Sequence, residues 1–167
     1  MTPISLAGLT LRPIQATDAR FLYDVYASTR QRELDLVDWT DAAKRAFLQQ
    51  QFSAQHTYYQ THYVGAAFQL ILLSGKPVGR LYVARWPEEI RLVDIALLPE
   101  HRGSGIGTEL LRRLQAESTT VGKPLTIHVE RFNPALRLYT RLEFRQREDR
   151  GMYLLLEWSG VQVNTAS

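Results

Sequence analysis

Three glycines stand within five positions, at 103, 105 and 107, directly before a stretch with helical periodicity. Glycine inside a helix costs roughly 0.5–1 kcal/mol relative to alanine, so the cluster is expected to use its bare backbone. A strand that runs into the first turn of a helix presents backbone N–H groups and the positive end of the helix dipole, and both attract phosphates. The cluster predicts a phosphate site, with a loop of incidental glycines as the alternative.

Spacing separates this turn from two common phosphate-binding motifs. The Walker loop, G-x-x-x-x-G-K-S/T, requires a lysine that does not follow here. The dinucleotide fingerprint G-x-G-x-x-G fails because its sixth position is Thr108 counted from Gly103 and Leu110 counted from Gly105. The pattern that remains is Arg102-x-x-Gly105-x-Gly107.

Hydrophobic patterning predicts the elements that hold this turn. The predicted elements are a strand at 9–15, a helix capped by Thr17 or Asp18 that runs to about Thr29, a helix from about Thr40 into the fifties, a hairpin over 66–86, a turn at 86–89, a buried strand over 89–98, a helix from Ile106 that ends at 122–124, a strand over 125–130, a short helix started by Asn133 and Pro134, and a final hairpin around Arg150 and Gly151. The order is β-α-α-β-β-β-α-β-α-β-β, which describes one mixed α/β domain over 1–167 with a frayed tail at 159–167.

Apolar side chains at helical spacing predict the buried face of three of these helices. The expected buried sets are Phe47, Leu48 and Phe52; Ile106, Leu110, Leu111 and Leu114; and Ala135, Leu138, Tyr139 and Leu142.

Composition restricts the class of protein. The chain has 167 residues, of which 45% are hydrophobic, enough for one domain with its own core. It has no run of about 18 apolar residues and no signal-peptide layout, so a cytoplasmic location is expected and no membrane association. Zero cysteines exclude a disulfide scaffold and a cysteine nucleophile. The net charge of +3, without a basic stripe, argues against nucleic acid and suits a small anionic ligand.

The glycine pattern resembles the coenzyme A signature Q/R-x-x-G-x-G/A of the GNAT superfamily of N-acetyltransferases. The strand VDIALLP before it resembles the family's fourth strand, and IHVERFNPALRLYTRLEF resembles the family's later segment ending in L-Y-x-x-x-G-F. The residues that match this later segment are Asn133, Ala135, Leu138, Tyr139 and Phe144. The order of elements fits the family over nearly the whole chain.

This resemblance implies a single-domain α/β fold with a mostly antiparallel twisted sheet of about six to seven strands and about four flanking helices. One departure is Glu143, because the family usually has glycine before the phenylalanine. We expect this glutamate to alter the turn into the next strand without removing activity.

The resemblance also implies acetyl-CoA as co-substrate and assigns residues to it. The turn's backbone amides hold the pyrophosphate, and the V-x-P segment pairs its backbone with the pantetheine arm. The implied cofactor-binding residues are Leu97, Leu98, Pro99, Arg102, Gly103, Ser104, Gly105, Ile106, Gly107, Thr108 and Asn133. Tyr139 is the implied general acid and the Leu97 N–H an implied donor to the carbonyl oxygen, although a tyrosine on an apolar helical face can equally be a packing residue.

Asp94 is the one acid inside the predicted strand EIRLVDIALL apart from Glu89 at its start. A buried carboxylate needs partners or shifts its pKa upward. Asp94 is therefore a candidate general base, directly or through water, or a group that orients the substrate amine. The alternative is a structural acceptor for a neighbouring strand or an arginine.

Other polar residues are weaker candidates. Glu88 and Glu89 are expected to be solvated turn residues, and His101, Lys123 and Arg137 to be surface charges rather than phosphate ligands. His56 and His62 are six apart, off one helical face, and no H-E-x-x-H is present, so no metal site is predicted.

The acceptor is predicted only as an amine. By resemblance, the first two helices and the final hairpin frame its site, and the acidic and aromatic residues in the first region would suit a cation. These residues, with half-buried helix positions as the alternative, are Glu33, Asp35, Asp38, Trp39, Tyr58, Tyr59 and Tyr63. The leading interpretation is an acetyl-CoA-dependent N-acetyltransferase. The alternative is a non-catalytic GNAT-like module that binds acyl-CoA, and association into a homodimer is left open.

Overall fold

Seven strands form one sheet in the computed structural model, which describes residues 6–160. The strands are β1 (Leu9–Pro13), β2 (Ala67–Leu73), β3 (Lys76–Arg85), β4 (Ile90–Leu97), β5 (Leu125–Glu130), β6 (Arg145–Arg150) and β7 (Tyr153–Trp158). Their order across the sheet is β1-β2-β3-β4-β5-β7-β6. The β4–β5 pair is parallel, whereas β1–β2, β5–β7 and β6–β7 are antiparallel.

Four α-helices accompany the sheet within the described residues. They are α1 (Ala19–Asp35), α2 (Asp41–His62), α3 (Ile106–Val121) and α4 (Leu136–Arg141), with short 3-10 helices at Ala16–Asp18 and Pro99–His101. The predicted order of elements and the mostly antiparallel sheet are confirmed.

The chain divides into two compact units, Met1–Tyr82 with Asp94–Arg102, and Val83–Val93 with Gly103–Ser167. The core of the first unit is built by side chains of α1, α2 and β2: Leu22, Tyr26, Leu34, Leu48, Phe52 and Leu70. In the second unit α3 packs against β5, and the predicted α3 stripe of Ile106, Leu110, Leu111 and Leu114 is buried. Assignment of the whole chain to one domain stays a prediction.

The first helix begins directly after Asp18, one of the two predicted cap residues, and ends later than its sequence pattern predicts. Asp18 is the N-terminal cap residue, but its side chain accepts hydrogen bonds from the Gln15 N–H at 2.7 Å and from both terminal nitrogens of Arg12. The helix continues to Asp35 because Leu34 extends the apolar stripe that faces the core.

The second helix is capped as predicted but buries fewer side chains. The Thr40 hydroxyl accepts from the Ala43 N–H at 3.1 Å, and Leu48 and Phe52 are buried. The prediction that Phe47 shares their face is wrong, since Phe47 is 38% exposed and its ring meets that of Trp39 at 5.4 Å.

The fourth helix starts two residues beyond Pro134, and its end is well defined. After the C-cap Leu142, Glu143 takes a left-handed φ of 71°. The Glu143 N–H donates to the Thr140 carbonyl and the Phe144 N–H to the Tyr139 carbonyl, each at 3.0 Å. The Tyr139 and Phe144 rings meet edge to face at 5.8 Å. This is a Schellman motif with its apolar contact, and glycine is the residue it favours at position 143.

Residues 161–167 of the predicted frayed tail lie outside the described residues. Within the part that is described, no helix combines the length and the apolar character needed to cross a bilayer.

Replacing Glu143 with glycine tests the strain at this position. A non-glycine residue in the left-handed region costs about 1–2 kcal/mol, part of which is offset by the greater freedom of glycine in the unfolded chain. We expect Glu143→Gly to raise the free energy of unfolding by about 0.5–1 kcal/mol in urea titration, because the Cβ is relieved of its clash. Glu143→Ala keeps the Cβ and should not raise it. Equal stabilisation by both variants would contradict this account.

Candidate functional site

The end of β4 runs unusually close to β3 in the first unit. A Cβ at Gly79 would lie 2.3 Å from the Ala96 carbonyl oxygen and 3.1 Å from the Leu97 Cα. Beyond this point the Leu98 N–H donates to the Val78 carbonyl at 2.9 Å. Only glycine at 79 allows this approach, so it determines where the backbone of Leu97 lies.

Arg102 returns to the end of β4 after the 3-10 helix. Its backbone N–H donates to the Pro99 carbonyl at 3.2 Å, and its Nε donates to the Leu97 carbonyl at 3.0 Å. Its Nη2 donates to the Ser28 hydroxyl on α1 at 3.0 Å. The structure thus brings Arg102 together with Leu97, while Leu98 is half-buried and Pro99 exposed.

Asp94 is enclosed by donors from α2 and β3. Its Oδ2 accepts from the Tyr59 hydroxyl at 2.8 Å and from Arg80 Nη2 at 3.0 Å, and its Oδ1 accepts from Arg80 Nε at 3.3 Å. Arg80 Nη2 also donates to Gln55 Oε1 at 2.8 Å. The side chains of Arg80 and Asp94 are only 4% and 13% exposed. The arginine partner weighed from the sequence is therefore present.

Electrostatics in this cluster keep both of its donors protonated. Burial alone would lower the pKa of Arg80, but the Asp94 carboxylate and the neighbouring tyrosines raise it overall. Burial and the Asp94 charge raise the pKa of Tyr59 far above its usual range. Tyr59 is consequently a fixed hydrogen-bond donor to Asp94 at any pH in ordinary use.

The glycine turn (103–107) lies in the second unit. Gly103 and Gly105 have left-handed φ values of 71° and 89°, and Gly105 is the N-cap residue of α3. Ile106 is fully buried and fixes the first turn of the helix, while Ser104 and Thr108 are half-buried. The first amides of an α-helix have no acceptor within the helix, so this end is suited to an anion.

Gly107 is not required by the protein's own packing. A Cβ there would meet Leu138 Cδ2 at 3.7 Å, which is an ordinary van der Waals contact. Gly105 and Gly107 therefore differ, because the backbone conformation demands the first and leaves room for a small side chain at the second.

Asn133 and Tyr139 lie at the two ends of the α4 segment. Asn133 Oδ1 accepts from the Ala135 N–H at 2.8 Å, so it caps the turn that leads into α4. Tyr139 is 4% exposed, and its ring packs against Phe144. Ala135 and Leu138 on the predicted apolar face are half-buried, whereas Leu142 is buried.

The weaker candidates occupy varied places. Glu88 is an exposed turn residue, as expected, but Glu89 accepts from the buried Thr126 hydroxyl at 2.5 Å and from Arg91 at 3.4 Å. Lys123 donates to the Trp86 carbonyl at 3.1 Å. Arg137 is exposed and His101 half-buried.

The acidic and aromatic residues predicted for an acceptor do not form one group. Tyr59 is held by Asp94 and contacts Tyr63 edge to face at 6.2 Å. Tyr58 stacks on His62 at 3.9 Å. Tyr58 is exposed, and the other exposed members are Glu33, which pairs with Arg30; Asp35, which accepts from Gln31; Asp38; and Trp39. Among the described residues no group of three or more His, Cys, Asp or Glu could hold a metal ion.

Three positioning residues were missed by the sequence analysis. Gly79 had a signal, since an isolated glycine inside a strand pattern indicates close approach of another backbone. Arg80 had a weaker one, as a lone cation in an apolar run. Ser28 had none, because its contact with Arg102 spans 74 positions of the chain.

Comparison with known proteins identifies one family model. The model of the acetyltransferase (GNAT) family matches residues 20–144. No curated protein matches the chain by sequence.

Several solved structures share the fold. PaiA N-acetyltransferase from Thermoplasma acidophilum in complex with coenzyme A is 15% identical over 90% of this chain and 98% of its own, with a TM-score of 0.67. An acetyltransferase from Thermus thermophilus is 23% identical over 93% and 99%, with a TM-score of 0.66. The ribosomal-protein-S18-alanine N-acetyltransferase from Escherichia coli is 18% identical over 89% and 90%, with a TM-score of 0.58. At these identities the likeness shows the fold.

Asp94→Asn tests how far the cluster supports the fold. The change leaves Arg80 buried without its counter-charge, and breaking such a pair costs about 3–5 kcal/mol, somewhat less where an amide keeps part of the hydrogen bonding. We expect the free energy of unfolding in urea to fall by about 2–5 kcal/mol.

Glu117→Gln is the matched control for this substitution. It breaks the more exposed Arg85–Glu117 pair and should cost less than about 1 kcal/mol. Similar losses in the two variants would show that the Arg80–Asp94 pair is not special to the fold.

Proposed function

Because the chain belongs to the acetyltransferase (GNAT) family, we propose that it transfers the acetyl group of acetyl-CoA to a primary amine of a small molecule or peptide by direct attack in a ternary complex. The observation that carries this proposal is the backbone of the glycine turn. Two left-handed glycines precede α3, a helix of 16 residues, and because the second of them, Gly105, is its N-cap residue, no capping side chain occupies the first amides. Such an end favours a diphosphate.

The proposal assigns acetyl-CoA to residues 97–99 and 102–108 and to Asn133. Amides of residues 103–108 receive the pyrophosphate, and the backbone of Leu97–Pro99 pairs with the pantetheine arm. Arg102 and Asn133 complete the set by resemblance to the family. The fixed backbone of Leu97, set by the close approach at Gly79, supports this assignment because a pre-positioned strand end binds without an ordering cost.

The chemistry requires one bond to form and one to break. The lone pair of the neutral amine attacks the thioester carbonyl carbon, and the Leu97 N–H stabilises the negative oxygen that develops. The C–S bond then breaks, and the departing sulfur takes the proton of the Tyr139 hydroxyl, which regains a proton from solvent before the next turnover. The proton lost by the attacking nitrogen passes to solvent or to Asp94 through water.

The acceptor of the amine proton has two candidates, solvent and Asp94. A carboxylate oxygen can accept two hydrogen bonds, and Oδ1 receives a single one from Arg80 among the described contacts. One further donor, a water or an amine, is therefore compatible with the cluster. Turnover of Asp94→Asn is therefore measured per folded molecule, since the same change is expected to destabilise the protein.

Turnover of acetyl-CoA tests the proposed function directly. Free thiol is measured while acetyl-CoA is presented with polyamines, amino acids, aminoglycosides and N-terminal peptides. Thiol release that requires an amine, together with a product heavier by one acetyl group, supports the transferase. Binding of acetyl-CoA without turnover of any amine in the panel would favour a non-catalytic acyl-CoA-binding module.

Acetyl-CoA should raise the melting temperature, because it binds the native state alone. At a hundredfold excess over Kd the gain is about 2.7 kcal/mol, or roughly 5–10 °C for a chain of this size, whereas NAD and ATP should do far less. Gly107→Val should abolish the shift, since its branched side chain stands where the phosphates approach. Gly107→Ala should keep it, because the packing leaves room and the family signature accepts alanine. An equal shift from ATP would contradict the cofactor assignment.

Tyr139→Phe tests the general acid. The ring is kept, so its contact with Phe144 and the melting temperature should persist, while the proton donor is lost. General acid catalysis is typically worth about 10²–10⁴-fold, and a thiolate is a fair leaving group, so we expect turnover to fall roughly 10-fold or more with acetyl-CoA affinity unchanged.

Tyr23→Phe is the control for loss of a tyrosine hydroxyl. The Tyr23 ring packs against Phe52 of α2, and its hydroxyl has no role in the proposed chemistry, so turnover of Tyr23→Phe should equal wild type. Wild-type turnover in Tyr139→Phe would make Tyr139 a packing residue, and early melting would point to a structural role for its hydroxyl.

A further inference from the structure

The Arg102 guanidinium is held by hydrogen bonds to the protein itself. Nε is bound to the Leu97 carbonyl and Nη2 to the Ser28 hydroxyl, each at 3.0 Å. These two donors point to different elements, the end of β4 and the middle of α1. Arg102, the residue directly before the glycine turn, therefore links the end of β4 to the middle of α1 within the first unit.

The hydroxyl of Ser28 has a fixed direction. Its hydrogen is donated to the Val25 carbonyl at 2.7 Å, one turn back on α1, so its lone pairs face the Arg102 guanidinium. A serine hydroxyl has one hydrogen to donate, and here that donation is taken up by the helix backbone. Ser28 thus acts toward Arg102 purely as an acceptor, which suits a cation and would not suit a phosphate.

The residue that follows Arg102 explains why this contact matters. Gly103 has a φ of 71° with nothing within 4 Å of a Cβ position, so neither a side chain nor close packing holds the turn there. The backbone of Arg102, with its N–H on the Pro99 carbonyl, is the last fixed point before Gly103. Whatever holds Arg102 limits the conformations that the turn samples.

We propose that Ser28 is a positioning residue for acetyl-CoA binding: through Arg102 it orders the glycine turn before the ligand arrives, and Arg102 serves as an anchor rather than as the counter-charge of a phosphate. This inference rests on the proposed function, since it names how the same ligand is bound. Pre-ordering raises affinity because less conformational freedom is lost on binding.

Calorimetric titration with acetyl-CoA tests the anchor. Ser28→Ala should weaken binding about 3- to 10-fold, the range expected for loss of one ordinary hydrogen bond at an exposed position. Thr29→Ala is the matched control: Thr29 is the next residue on α1, its hydroxyl makes the same type of bond to the Tyr26 carbonyl at 2.6 Å, and its affinity should equal wild type.

A double variant distinguishes the anchor from a direct phosphate contact. Arg102→Lys keeps the charge but cannot reproduce the fork that spans Leu97 and Ser28, so we expect it to weaken binding about 10-fold. Adding Ser28→Ala to Arg102→Lys should weaken binding no further, because both changes remove the same link. Full affinity in Arg102→Lys, or multiplied effects in the double variant, would overturn the proposal.

Hydrogen exchange of the ligand-free protein provides a readout that does not depend on acetyl-CoA. The amides of His101 and Arg102 are bonded to the Leu98 and Pro99 carbonyls, and loss of the anchor should speed their exchange in Ser28→Ala but not in Thr29→Ala. Equal exchange in the two variants would overturn the anchor. If wild type fails to bind acetyl-CoA, the proposed function fails, while exchange still decides whether Ser28 orders this segment.

Discussion

A guanidinium in the interior of the first unit constrains the elements around it. The Arg80 side chain is 4% exposed, and a buried cation without a partner would cost several kcal/mol. Its partners come from different elements, Asp94 from β4 and Gln55 from α2, and Tyr59 of α2 binds the same carboxylate. The helix α2 buries few apolar side chains, so these polar contacts fix where its second half lies on the strands. The position of Asp94 follows from charge pairing, whatever further part it takes in the chemistry.

The end of β4 and the start of the glycine turn are positioned by a second set of contacts of a different kind. At Gly79 the absence of a side chain lets the strand approach, and at Arg102 a side chain reaches back to the strand end. The two act on neighbouring peptides: one fixes Ala96 and Leu97 from β3, the other holds the Leu97 carbonyl. In residues 97–102 the backbone is therefore positioned in two ways: by close packing at Gly79 and by the hydrogen bonds of Arg102. Together they leave the backbone little conformational freedom before Gly103.

Local patterns were enough to predict the order of the elements, because each element carries its own periodicity and its own punctuation. The α3 stripe with the glycines before it and Gly122 after it is the clearest case. Local patterns failed to predict features that depend on contacts with residues distant in the sequence. Helix α1 continues to Asp35 because Leu34 packs in the core. Phe47 lies outside the core, where its ring packs against that of Trp39.

The candidate site likewise contains residues that local patterns predict and residues that only long-range contacts position. The glycine turn and Asn133 can be recognised by residue type. The donors around Asp94 and the acceptor for Arg102 come from α2, β3 and α1, at separations of 14 to 74 positions along the chain. No short-range signal records such pairs. The acceptor residues are the hardest case, since acidic and aromatic side chains on α1 and α2 have several uses, and Tyr59 is engaged in one of them within the fold.

Glu143 departs from the family pattern at a turn whose conformation is held by other residues. The left-handed turn at 143 is dictated by the backbone bonds from Glu143 to Thr140 and from Phe144 to Tyr139, and by the contact between the two rings. None of these involves the glutamate side chain, which is exposed. The Cβ therefore adds strain, while the backbone bonds and the ring contact on either side hold the left-handed conformation. A strained residue four positions after Tyr139 lowers stability locally, while the position of the tyrosine ring is set by α4 and by its contact with Phe144.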